Sequence, residues 1–143
     1  ANANPLGEDA DVNKISSAIK AGNASALAVH FDNTVEVTIL NKEGAYSKSQ
    51  AELVVKDFFG KNAPTDFKIM HEGSSGGNSK YAIGTLSTAN GEFRTYMFLK
   101  QTGDTFVIQE LKFESKYPNF LFNFDPLRFF RSGFFVFGNV VNC

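Results

Sequence analysis

The chain has 143 residues, a mass of 15.7 kDa and a single cysteine, Cys143. It therefore suits one domain, with no internal disulfide framework and no cysteine-built zinc site. A net charge of −1 and a pI of about 6.1 exclude the basic balance of a nucleic-acid or anionic-membrane binder, and 43% hydrophobic with 20% charged residues is a globular composition.

The chain opens on Ala1-Asn2-Ala3-Asn4-Pro5, a small-residue start of the kind left by signal-peptide removal. Residues 1–7 are thus read as the extension of a mature exported protein, periplasmic or at the cell surface. Over 8–21, Val12, Ile15 and Ile19 recur at helical spacing. Glu8, Asp9 and Asp11 suit the positive end of the helix dipole, and Gly22 is a good stop. Asn23 or Ser25 caps a second short helix with Leu27, Ala28 and Phe31 on one face. Val35, Val37 and Ile39 alternate as in a strand. A turn over 41–44 leads to a short return strand at Ala45-Tyr46.

Ser47 with Gln50 makes a capping-box pattern, followed by Ala51, Val54, Val55, Phe58 and Phe59 at helical spacing until Gly60 and Pro64. Four strands follow, at about 66–72, 79–88, 92–101 and 104–114. They are joined by the Gly-rich run 73–78, the strong hairpin signal Asn90-Gly91, and Gly103-Asp104. The order α-α-β-β-α-β-β-β-β predicts an α+β domain over 8–115, with helices packed on a curved, mostly antiparallel sheet. The last strands look apolar on both faces, Phe106 and Ile108 alternating with Val107, Leu111 and Phe113. Their outer face is expected to be covered by a second copy or by the tail.

Residues 116–143 hold eight of the sixteen phenylalanines and a charge of +2. Asn123, Asp125, Arg128 and Arg131 break every window long enough to span a membrane, so no transmembrane helix is expected. The tail packs on the domain, arms a partner subunit, or has no role. Phe120, Phe122 and Phe124 alternate, which predicts a strand or extended arm over 119–124 and an irregular aromatic segment after it.

The element order resembles the nuclear transport factor 2-like (cystatin-like) cone fold. Pro5-Leu6-Gly7, the run Lys14 to Lys20, Gly44-Ala45-Tyr46-Ser47-Lys48, the run Lys80 to Leu86 and Gly91-Glu92-Phe93-Arg94 go further. Together they resemble an uncharacterised family of small exported Bacteroidetes domains, domain of unknown function 4783, over about 5–114. None of these segments is a catalytic signature. The Phe-rich tail departs from the family pattern.

Candidate chemistry is sparse. The run Gly73 to Gly77 matches G-x-S-x-G, but a strand follows where the nucleophile elbow needs a helix, so a hairpin loop is expected. His30 and His71 stand 41 residues apart with no metal-ligand spacing, predicting one surface and one partly buried histidine and no metal. In a cone-shaped cavity, a carboxylate can act as general base and a Tyr can stabilise an enolate; Asp32, Tyr46, Tyr81 and Tyr96 are the ligand-facing candidates. Against this, Asp32 also suits a helix-to-strand turn, and the tyrosines suit ring packing. Phe98, Phe106, Ile108, Phe120 and Phe122 are the interface candidates.

Three functions stay open: a non-catalytic module binding a small apolar ligand or a protein partner without a cofactor, an isomerase or dehydratase using the cavity, and a structural module that dimerises through its sheet. A buried carboxylate beside a Tyr hydroxyl favours the enzyme. A cavity filled by Phe side chains favours the structural module.

Overall fold

A computed structural model describes residues 4–116. Helix α1 spans Asn4–Ala21 and buries Val12, Ile15, Ala18 and Ile19 at three- and four-residue spacing. It starts four residues earlier than predicted, so its first turn contains no acidic residue. Asp11 has a different job. Its carboxylate accepts the Phe106 N–H at 2.9 Å and ties the helix to the sheet 95 residues away. Gly22 ends α1 at φ +68, with Gly22 N–H donating to the Ile19 carbonyl and Asn23 N–H to the Ala18 carbonyl, both at 2.9 Å. This pair of bonds is a Schellman motif.

Asn23 then caps α2 (Ala24–Ala28), its side-chain oxygen accepting the Ala26 N–H at 3.0 Å. The helix stops at Ala28. Phe31, expected on the helix face, instead opens strand β1 (Phe31–Ile39) and is buried there. Strand β2 (Lys42–Ser47) returns after the two-residue turn Leu40-Asn41, so the turn lies before the predicted 41–44. Ser47 and Gln50 form the expected capping box of α3 (Lys48–Lys61), at 3.3 and 3.2 Å. Strands β3 (Pro64–Ser74), β4 (Ser79–Thr88), β5 (Gly91–Thr102) and β6 (Thr105–Ser115) complete the chain as a meander.

The six strands form one sheet in the order β2-β1-β6-β5-β4-β3. Every pair is antiparallel except β1 with β6. The helices cover one face, and the core lies between. Phe113 is central to it: its ring stacks on Phe58 at 4.7 Å and meets Phe59 edge-on at 5.8 Å, while Phe93 meets Phe58 edge-on at 5.2 Å. The space under α3 is therefore filled by phenylalanine rings.

Two of the four register irregularities among the described strands decide which side chains face outward in β6 and β3. In β6, Leu99 pairs with Ile108 while Phe98 pairs with Glu110, leaving Gln109 as the extra residue. An extra residue reverses the alternation beyond it. Ile108 is consequently fully buried with Leu111 and Phe113, and Phe106 packs inward against the same core. The expectation that Phe106 and Ile108 lie on the outer face is thus corrected. In β3, a second irregularity between Ile69 and His71 leaves Met70 67% exposed. Among the described residues, no helix is long and apolar enough to cross a membrane.

Candidate functional site

The β1–β2 hairpin and α3 diverge to leave a cleft of about 700 Å³. Its walls are Val37, Ile39, Leu40, Tyr46, Leu53, Val54 and Phe58. Its rim is polar: Asn41, Lys42, Asp57, Lys61 and Asn62. The local sequence explains the opening. Helix α3 turns Ala51, Val55, Phe58 and Phe59 into the core, which rotates Leu53 out to 65% exposure. On β2, Gly44 contributes no side chain, and the Tyr46 ring lies over it, 2.8 Å from where a β-carbon would stand. The rim is braced by Asn90, whose amide nitrogen donates to the Lys61 carbonyl at 2.7 Å and to Asn62 Oδ1 at 3.0 Å. The rim pair Lys61–Asp57, at 3.2 Å, is solvent-exposed and contributes little.

The four predicted ligand-facing residues do not converge. Tyr46 lines the cleft. Tyr81 lies on the opposite face of the sheet over Gly73, its hydroxyl 2.8 Å from His71 Nε2. Tyr96 shares that outer face, its ring 5.8 Å from the Lys112 ammonium. Asp32 stands at the start of β1, accepting Asn33 N–H at 2.7 Å and the Gln109 amide at 3.0 Å. These bonds hold its carboxyl below the ordinary range, the Gln109 bond most strongly. Asp32 thus secures the β6 bulge. The cleft carboxylate is Asp57, absent from the predicted set, and it is exposed and already paired with Lys61. Leu40 and Leu53 are also missed. Leu53 was detectable as the apolar residue off the buried stripe of α3.

Of the interface candidates, Phe98 is half-buried on the outer face, opposite Tyr81 on β4. Phe106 lies beneath the Lys80 ammonium, 4.2 Å from its ring centre. Phe120 and Phe122 fall outside the described residues, as does the predicted arm over 119–124. His30 is half-buried, and that burial lowers its pKa against the opposing pull of Asp11. His71 is exposed. The run Gly73 to Gly77 joins two antiparallel strands, with Gly76 and Gly77 at positive φ, and helps line a second, polar depression of about 360 Å³. Among the described residues, no three His, Cys, Asp or Glu side chains gather to hold a metal.

The family model described as "Domain of unknown function (DUF4783)" matches residues 12–114. The chain belongs to the DUF4783 family. Three solved DUF4783 structures are similar to it, each covering most of the relative's length. The Bacteroides ovatus protein is 27% identical with a TM-score of 0.69, over 73% of this chain and 94% of that one. The Bacteroides fragilis protein is 29% identical at 0.68, over 72% and 96%. The Bacteroides uniformis protein is 28% identical at 0.70, over 74% and 97%. An NTF2-like protein of unknown function from Shewanella baltica, 12% identical with a TM-score of 0.60 over 82% of this chain and all of that one, shares the fold alone. The α+β, nuclear transport factor 2-like architecture expected from the element order is therefore the architecture of this DUF4783 chain. No curated protein is detectably similar to it.

Proposed function

We propose that this DUF4783 domain is a non-catalytic binding module whose cleft between α3 and the β1–β2 hairpin takes a small apolar ligand or an apolar segment of a protein partner. One observation carries the reading: Leu40 and Leu53, 44% and 65% exposed, face a cleft whose other walls are Val37, Ile39, Tyr46, Val54 and Phe58. Its volume falls within the roughly 300–1,000 Å³ of small-molecule sites, which combine apolar walls with a few polar groups. Among the described residues Tyr46 meets no buried carboxylate, which speaks against isomerase or dehydratase chemistry. The Phe rings that pack the cone interior favour a structural module, which is the second reading.

The test uses the domain ending at Lys116, which contains the whole family match over residues 12–114. Titration with the apolar fluorophore anilinonaphthalene sulfonate is expected to give saturable binding that Leu53→Asp weakens at least about tenfold, the equivalent of ~1.4 kcal/mol. Leu53 is exposed, so the substitution leaves the core intact. Equal binding by both proteins refutes the reading. A second reading, pairing of two copies through the outer sheet face, is favoured by the half-exposed row of Tyr81, Phe98, Ile83 and Tyr96, neighbours across β4 and β5.

A further inference from the structure

Asn90-Gly91, at the turn between β4 and β5, does more than reverse the chain. Helix α3 ends at Lys61, and a helix leaves its last carbonyls without an intrahelical partner. Asn90 reaches one of them from 29 residues away. Its amide nitrogen donates to the Lys61 carbonyl at 2.7 Å and to Asn62 Oδ1 at 3.0 Å. Asn62 is itself fixed, because its amide nitrogen donates to the Phe58 carbonyl at 3.1 Å and its N–H to the same carbonyl at 2.8 Å. Both groups facing Asn90 are therefore acceptors, and only the nitrogen side of its amide satisfies them. Phe58, Lys61 and Asn62 all line the cleft. Asn90 is thus a latch between the β4–β5 hairpin and the cleft rim.

We propose that Asn90-Gly91 is a modification site, at which spontaneous deamidation releases this latch whatever the cleft binds. The sequence favours the reaction at this position. Glycine has no side chain to shield its backbone nitrogen, and this is the one Asn-Gly pair in the chain. The Gly91 nitrogen attacks the side-chain carbonyl carbon of Asn90. The new C–N bond closes a five-membered succinimide, and Nδ2 leaves as ammonia with the proton displaced from Gly91. Water then opens the ring at either carbonyl and leaves aspartate or isoaspartate at position 90. The fold holds the reaction back, because ring closure takes the amide off both acceptors and Gly91 out of its pairing with Thr88. The product undoes the latch for two reasons. A carboxylate has no proton to donate to either oxygen. Its negative charge also stands at the negative end of the α3 dipole. The Lys61 ammonium is already paired with Asp57 at 3.2 Å. The backbone bond from the Ala89 N–H to the Ala63 carbonyl, at 3.2 Å, is untouched, so the hairpin stays in place while the end of α3 loosens.

The experiment incubates the full 143-residue chain in mildly alkaline buffer, native and urea-unfolded, and follows Asn90-Gly91 by peptide mapping with mass spectrometry. The native chain is expected to deamidate at least about tenfold more slowly, the weight of the two hydrogen bonds. Asn62→Ala, which removes one acceptor, is expected to raise the native rate at least about threefold. Equal rates in the native and unfolded chains, or no response to Asn62→Ala, overturn the proposal. Asn90→Asp then isolates the consequence. Asp-Gly suits a hairpin turn as Asn-Gly does, so the fold is kept. Hydrogen exchange at the Asn62 N–H is expected to quicken at least about threefold in this variant, with β5 and β6 unchanged. An unchanged Asn62 rate overturns the release. Protection lost throughout the sheet overturns it too, because Asn90 then holds the whole fold rather than the rim.

Discussion

Leu40 takes φ +58, the one positive φ among the described non-glycine residues, at the first position of a two-residue hairpin turn. A II′ turn asks for positive φ at that position, where glycine is the usual occupant. A side chain with a β-carbon held there costs ~1–2 kcal/mol, partly offset because glycine would lose more entropy on folding. The strain therefore buys no stability, and its visible consequence is an apolar side chain presented to the cleft. We expect Leu40→Gly to raise the free energy of unfolding by up to ~1 kcal/mol while weakening apolar-probe binding. Urea titration and the fluorescence assay check both halves. A variant destabilised by more than ~1 kcal/mol would show that Leu40's contacts outweigh its strain. Nothing in the local pattern announces this residue, since Leu40-Asn41 contains no glycine and the turn signal, Asn41 to Gly44, follows it.

At the scale of elements, the caps of α2 and α3 and the glycine-containing hairpin turns were legible because their chemistry is local. Asn23, Ser47 with Gln50, and Asn90-Gly91 each stand where the residue types require. Long-range pairing was not legible. The parallel match of β1 with β6 joins segments some 75 residues apart, and only the assembled sheet fixes it. The β6 bulge leaves a trace in the sequence: the apolar positions pass from even numbers at Phe106 and Ile108 to odd numbers at Leu111 and Phe113, a change of parity that a regular strand cannot accommodate. The cleft was less legible still, being a space between elements, and Tyr46 alone of the four predicted ligand-facing residues reaches it. Asp32 belongs to the bulge, and its role is testable by pH. Its carboxyl is held below the ordinary 3.8 by the Gln109 amide and then the Asn33 N–H. A depressed folded value means the unfolded state takes up the proton first. The contribution is present above about pH 4 and is lost as pH falls through the folded value. Asp32→Ala should therefore lower stability at neutral pH, by less than ~1 kcal/mol because the group is well solvated, and the gap should close towards pH 3. Urea midpoints of both proteins between pH 3 and 7 measure it; a gap that widens on acidification rejects the assignment.

For the whole molecule, the question is what covers the outer sheet face. The bulge withdraws Phe106 and Ile108 into the core, so the apolar patch is smaller than the sequence pattern implied. What stays outside is the pair Tyr81–Phe98 beside the pair Ile83–Tyr96, flanked by the ion pairs Arg94–Glu114 at 3.9 Å and Lys112–Glu110 at 3.4 Å. Aromatic residues at the centre with charges at the margin is the anatomy of an interface core and its rim. This face could take a second copy. The patch is narrow against the roughly 1,600 Å² that a standard interface buries, so a weak dimer is the expected form. Sedimentation velocity on the full chain at roughly 100 µM, well above a micromolar Kd, should show the dimer, and Phe98→Glu should yield monomer. Phe98 is half-buried and outward-facing, so the variant's thermal unfolding at low concentration should stay near that of the native chain. A native chain that remains monomeric at this concentration would leave the aromatic row as ordinary half-buried sheet surface, and the cleft as the only apolar site proposed for this domain.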